Sequence, residues 1–173
     1  MKAITDYQPW AQLLAVGAKK YETRSWQTNY RGPIAIHAGK KKAGEVIRSL
    51  HNQFSTQRKM AIALGMYEYS YSQDFDALPH GAIIATAELV GCHFMYHRSG
   101  EYGTDIGSGV LRINEKIIKP TAEELLFGDW TPGRYAWELA NVRMLPEPIP
   151  AKGKQGLWEW TQPDGWSGGE DAK

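Results

Sequence analysis

A single cysteine, Cys92, stands among the 173 residues, so no disulfide can form within the chain and nothing in the composition asks for an oxidising compartment. No apolar run approaches the roughly 20 residues that a membrane-spanning helix needs. The start, Met1-Lys2-Ala3-Ile4-Thr5-Asp6, lacks the apolar centre of a secretory signal. These absences predict a cytoplasmic protein with no membrane partner. An excess of charge is missing too: 20 Lys and Arg against 19 Asp and Glu leave a net of +1, which by itself points to no polyanion partner. The balance hides a gradient. Residues 1–60 hold 11 Lys and Arg against 3 Asp and Glu, a net of +8, and the remainder holds 9 against 16, a net of −7. A basic surface is therefore expected in the amino-terminal half.

A chain of this length suits one domain whose core needs no staple, expected over residues 1–160. From Thr161 glycine and polar residues dominate, and residues 161–173 read as a flexible tail despite Trp166.

The densest stretch runs from Gln8 to Ala38. Pro9 sits where a helix can begin, since its missing N–H would go unpaired there anyway, and Trp10, Leu13 and Leu14 form an apolar stripe that Gly17 ends. The period then becomes alternating. Lys20, Glu22, Arg24 and Trp26 fall on one face of a strand and Tyr21, Thr23 and Ser25 on the other. Lys2–Tyr7 reads as a first strand, and Pro33–Ala38 as another with Ile34 and Ile36 inward. His37 reads as a packed or hydrogen-bonded residue, since no second ligand sits at metal spacing.

Lys40-Lys41-Lys42 precedes an amphipathic helix in which Val46, Ile47, Leu50 and Phe54 share a face. Lysines in its first turn would oppose the helix dipole unless a phosphate sat on the free N–H groups; alternatively the helix begins at Ala43 and the lysines point into water. A second helix over 58–72 would carry Met60, Leu64 and Tyr67. Residues 82–96 read as one long strand, or two kinked at Gly91. Cys92, His93 and His97 lack a fourth ligand and read as sheet residues, so no metal and no cofactor is expected. Residues 98–109 form a Gly-rich loop without a phosphate-cradle ending. Thr121-Ala122-Glu123-Glu124 is a capping box for a short helix that Gly128 can close, and Gly133–Val142 alternates as a strand with Tyr135, Trp137 and Leu139 on one face. Pro146, Pro148 and Pro150 read as a connector outside any sheet interior, and Lys152–Trp160 as the closing segment.

Gly17, Lys19, Glu22 and Arg24 spell Gly-x-Lys-x-x-Glu-x-Arg, flanked by Gln8-Pro9-Trp10 and Arg31-Gly32. With Pro150-Ala151-Lys152-Gly153-Lys154-Gln155-Gly156-Leu157-Trp158 downstream, three blocks in order resemble the ASCH family, named for the activating signal cointegrator-1 homology domain. The resemblance spans nearly the whole chain. It implies an α+β, PUA-like small mixed or antiparallel β-barrel with helices packed at the rim and a cleft beside the motif.

Two functions follow as expectations. One is a nucleic-acid binding module for RNA, another single strand or a modified nucleoside. There Lys19, Arg24, Arg31 and Lys152 would hold phosphates, Trp10 and Trp26 would offer stacking faces, and Glu22 would accept from an amine or hydroxyl. Core packing is the better reading of Trp10 itself. The other is an enzyme. Some small ASCH-like proteins deacylate N-acetylated cytidine with the motif lysine, together with a threonine where this chain has Glu22, and family members with ribonuclease activity have been proposed. Lys19 and Glu22 would then be catalytic, yet a carboxylate beside Lys19 holds it protonated and disfavours a nucleophilic amine. Both residues can line one cleft only if the strand begins after Lys19, which a left-handed Gly17 permits, or bulges near it. An exposed Lys19–Glu22 pair would add little to folding.

Overall fold

The computed structural model describes residues 1–47, 53–66, 74–97, 109–113 and 116–163. The first strand, β1 (Lys2–Asp6), runs parallel to β3 (Gly32–Ala38), with Lys2 beside Ile34 and Asp6 beside Ala38. Antiparallel pairing then carries the sheet from β3 to β4 (Ala82–Tyr96) and on to β7 (Tyr135–Pro150). The outer strands are β2 (Tyr21–Arg24) on β7 and β8 (Leu157–Glu159) on β1, giving the order β2-β7-β4-β3-β1-β8. Two short strands, β5 (Val110–Ile113) and β6 (Lys116–Ile118), extend from the end of β4. With helices α1 (Trp10–Ala15), α2 (Ala43–Ile47), α3 (Gln53–Ala63) and α4 (Ala122–Phe127), the fold is α+β around a mixed sheet.

The expected α+β fold with a mixed sheet is present, but among the described residues the sheet is not closed into the expected barrel. Its outer strands are short, β8 reaching only Lys2–Ile4 of β1 and β2 only Tyr135–Glu138 of β7, and they do not pair with each other. The sheet nevertheless curls, because the Arg24 guanidinium on β2 donates to the Thr5 carbonyl on β1, four strands away in the order. One apolar layer lies between α1 and the concave face (Ile4, Leu14, Ile34, Ile36, Leu89, Trp137), and a second joins the helices (Leu13, Ile47, Met60, Phe75, Phe127). A third covers the opposite face (Ala3, Ala35, Ile83, Trp158, Trp160). Since both faces of β3 are covered, Ala35 and His37 are buried along with the two isoleucines.

Local signals explain much of this. Helix α1 begins after Pro9 and ends at Gly17, whose φ of 74° turns the chain so that Lys19 N–H donates to the Leu13 carbonyl. The Gln8 side chain helps to hold that helix, its Oε1 accepting from Gln12 N–H and its Nε2 donating to the Pro79 carbonyl. Thr121 caps α4 by accepting from Glu124 N–H, and Gly128 closes it in an extended conformation.

Other readings need revision. Of the face expected to join Val46, Ile47, Leu50 and Phe54, Ile47 in α2 is buried but Phe54 in α3 is 63% exposed, so Phe54 does not belong to it; Leu50 lies outside the described residues. The helix expected over 58–72 spans Gln53–Ala63, with Met60 buried and Leu64 partly so, and Tyr67 lies outside the described residues. Strand β4 passes through Gly91 unbroken, with ladder shifts on the way. The prolines belong to β7, where Pro150 pairs with Ala82. They are tolerated because β2 has ended by then, leaving that stretch of β7 with one neighbour. Residues 98–108 of the Gly-rich loop, and 164–173 with Trp166, lie outside the described residues. Among the described residues no helix is long and apolar enough to cross a membrane.

Candidate functional site

The turn at Gly17 places Lys19 before β2, and the alternation of β2 aims Glu22 and Arg24 to one side. Lys19 Nζ lies 2.6 Å from Glu22 Oε2 and donates to the Tyr21 carbonyl. Arg24 Nε lies 3.0 Å from Glu22 Oε1, while its Nη2 donates to the Thr5 carbonyl at 2.9 Å and sits 3.9 Å from Asp6 Oδ2. The motif thus alternates basic and acidic residues from Lys19 through Glu22 and Arg24 to Asp6. The expected approach of Lys19 to Glu22 is present. The expected exposure is not: Lys19 is 1% exposed and Glu22 6%.

The two neighbouring acids are shifted in opposite directions. Burial pushes Glu22 up, but the charges of Lys19 and Arg24, with hydrogen bonds from Asp6 and Lys19, more than offset this and hold it at about 2. Asp6 is raised well above the usual value, by burial first and then by the adjacent Glu22 carboxylate, with Arg24 and Lys19 only partly opposing. The neutral form of Asp6 is thus favoured beside the charged Glu22. The linkage signs are opposite. Stability from Glu22 is present above its ordinary 4.5 and is lost as pH falls through about 2. Stability from Asp6 is present below 3.8 and is lost as pH rises through its elevated value. Asp6→Asn places an uncharged side chain where burial and the Glu22 charge disfavour a carboxylate, so its stability relative to the unsubstituted protein should climb as pH rises above 3.8. Urea midpoints taken across that range check this; a pH-independent difference would show that Asp6 titrates alike in the folded and unfolded chain.

Glu124 completes the surroundings, and it is not the local cap that its spacing from Thr121 predicts. Its Oε1 accepts from the N–H groups of Lys20 and Tyr21 at the start of β2, so only the Thr121 half of the capping box forms. Burial raises its pKa, against those two N–H groups and the Lys19 charge. Sequence reasoning assigns neither Asp6 nor Glu124 to this site. The partners they bind are remote in the chain, and no spacing rule could signal them.

The remaining expected residues scatter. Trp10 is partly buried among the helices beside Leu13 and Phe127. Trp26 packs edge-to-face on Trp137 at 4.5 Å, and its carbonyl accepts from the Trp137 indole. Lys20 leaves the motif face for an ion pair with Glu138. Arg31 is exposed and donates to the carbonyls of Thr28 and Tyr30. It stands at the start of β3, roughly 20 Å along that strand from Lys40. The basic surface expected from Lys19, Arg24, Arg31 and Lys40–Lys42 therefore does not assemble as one patch.

A different set does. Gly39 N–H donates to the Asp6 carbonyl, Gly81 N–H to Ala38, and Ala151 N–H to Gly81, which ties the lysine run and the closing segment to one end of the sheet. His37 fastens the same place: its Nε2 lies 3.1 Å from the Ala151 carbonyl, and Gly153 passes so close that a Cβ would lie 2.4 Å from the ring Cε1. Lys40, Lys41, Lys42, Lys152 and Lys154 are exposed there, and none is ion-paired among the described residues. Lys154 Nζ hovers 5.9 Å from the Trp158 ring centroid. Helix α2 begins at Ala43, after the lysines, and Gly44 N–H at its start donates to the Asp76 carboxylate. Of the two readings of that run, lysines pointing into water is the one observed. His93 pairs with Glu138 at 2.9 Å and the Cys92 sulfur accepts from Thr28 N–H, so both are engaged in sheet contacts.

A model of the ASCH domain family matches residues 5–149. The activating signal cointegrator 1 proteins of Mus musculus and Homo sapiens are each 30% identical to this chain over 90 residues. That segment is 51% of this chain and 14% of the length of each relative.

Proposed function

The chain belongs to the ASCH domain family, and on that premise we propose that it is a binding module for RNA or another single-stranded nucleic acid. The family is generally linked to RNA binding. One observation carries the reading for this chain: five exposed lysines, without a carboxylate partner among the described residues, are held at one end of the sheet by backbone hydrogen bonds. Unpaired ammonium groups on a rigid frame suit phosphates, and their release of counterions makes binding salt-dependent. The motif beneath them supports this end of the sheet, since the Asp6 side chain lies 3.9 Å from Arg24 Nη2 and its carbonyl accepts from Gly39 N–H.

The hydrolase and ribonuclease alternatives would use Lys19 and Glu22 directly. Lys19 is spent on Glu22 and the Tyr21 carbonyl and has almost no exposed surface, which weighs against an attacking amine and toward binding.

The test is a titration with a labelled oligouridylate at several salt concentrations. Affinity should fall with salt with a log-log slope of several units. Lys40→Ala/Lys152→Ala/Lys154→Ala should make that slope shallower by about 2, because each phosphate neutralised on a single strand contributes about 0.7. A flat salt response overturns the proposal. Turnover of an N-acetylated cytidine that persists at high salt and survives the triple substitution would put the hydrolase in its place.

A further inference from the structure

Strand β4 ends in an arrangement that burial alone does not require. Met95 points to a buried cluster with Leu111 and Trp130, so its neighbours Phe94 and Tyr96 point the other way, 38% and 46% exposed. Tyr135 stands directly opposite Phe94 in the β4–β7 ladder. The Phe94 ring meets Tyr96 at 5.0 Å and 77°, and Tyr135 at 5.3 Å and 70°. Rings that meet edge-to-face support one another, and here Phe94 and Tyr96 remain exposed while Tyr135 is half-buried against the core. Arg112 on β5 holds its guanidinium 5.8 Å from the Tyr96 ring centroid and is exposed, with no ion pair among the described residues. Trp26 and Trp137 pack edge-to-face on the core side, where Trp137 pairs with Cys92, two residues before Phe94 on β4. This group lies at the end of the sheet opposite the five lysines, because Ala82 at the start of β4 is the residue that pairs with Ala38 and Pro150.

We propose that Phe94, Tyr96 and Tyr135, with Arg112, form a stacking platform for the unpaired bases of a single strand. The inference rests on the nucleic-acid reading above and adds to it a second contact surface and a preference. Aromatic faces accept bases regardless of sequence, and a guanidinium beside them serves either a phosphate or a further base. Bases inside a duplex are already stacked on one another and cannot use such rings. The lysine end has no such restriction, since phosphates are displayed by single and double strands alike. The aromatic end therefore makes the protein select single strands.

Affinities for a labelled oligoadenylate, for an abasic strand of the same length, and for the corresponding duplex test this. The unsubstituted protein should bind the oligoadenylate at least about tenfold more tightly than the abasic strand, a factor within the range for one stacked base. Phe94→Ala/Tyr96→Ala should lose that advantage while keeping the salt slope, and Tyr96→Phe, which keeps the ring, should retain it. Equal affinity of the unsubstituted protein for abasic and base-bearing strands overturns the platform while leaving phosphate binding intact, and needs no variant to fold. Full oligoadenylate affinity in the double variant overturns it as well. Absence of binding to every strand at low salt removes both the nucleic-acid reading and this inference.

Discussion

Lys19→Ala should cost about 3–5 kcal/mol of folding free energy, the loss expected when one partner of a buried ion pair is removed. The expectation rests on geometry. The ammonium is 1% exposed, lies 2.6 Å from Glu22 and also donates to the Tyr21 carbonyl. Its removal leaves that carbonyl without this donor and leaves Glu22 with Arg24 as its remaining ion-pair partner. A surface pair would behave differently, contributing about 1 kcal/mol or less. Urea unfolding followed by two probes distinguishes the cases, with an unchanged denaturant slope confirming that the loss lies in stability. An unchanged midpoint together with lost oligonucleotide binding would return Lys19 to the role of a surface ligand.

Glu124→Ala should be the other severe substitution, costing about 2–4 kcal/mol. Two N–H groups at the start of β2, those of Lys20 and Tyr21, lose their acceptor once Oε1 is gone, and a buried donor left unsatisfied costs about 1–3 kcal/mol. Glu124→Gln keeps an oxygen at the same place and should cost much less. The Thr121 cap is independent of this side chain and survives both changes, so α4 itself should persist. Amide exchange gives the residue-level check: Lys20 and Tyr21 should lose protection in the alanine variant and keep it in the glutamine variant. Equal loss in both would assign the effect to packing instead of hydrogen bonding.

The legible parts of the chain are those whose cause is local. Pro9 before an apolar stripe and a glycine after it bound α1, Thr121 marks the start of α4, and alternation reveals β1, β3 and the faces of β7. The Lys19–Glu22 approach is legible too, because Gly17 and strand parity confine it to a few geometries. Burial of that pair is not, since it depends on Asp6 and Glu124, the latter 104 residues from Lys20. Glu124 also misleads for a physical reason: a glutamate three residues after a capping threonine is locally satisfied by the cap, and only the tertiary fold offers it two better donors. Phe54 shows the same limit, since helical periodicity assigns it to the buried face of Ile47 while the fold leaves it 63% exposed. Joining Lys40 to Lys152 needs the pairing of β4 with both β3 and β7, which no stretch of sequence encodes alone.

The prolines of β7 reach beyond fitting an edge. Ala151 N–H points inward to the Gly81 carbonyl, so by strand parity Ile149, opposite Ile83, directs its N–H group toward β4 as well. Pro148 and Pro150 flank it in the outward positions, and each removes the donor that would otherwise face away from the sheet. An unclosed sheet ordinarily invites a second molecule to add a strand along its margin. Along this part of the margin Pro148 and Pro150 offer an incoming chain no donor, which disfavours a ladder between molecules there.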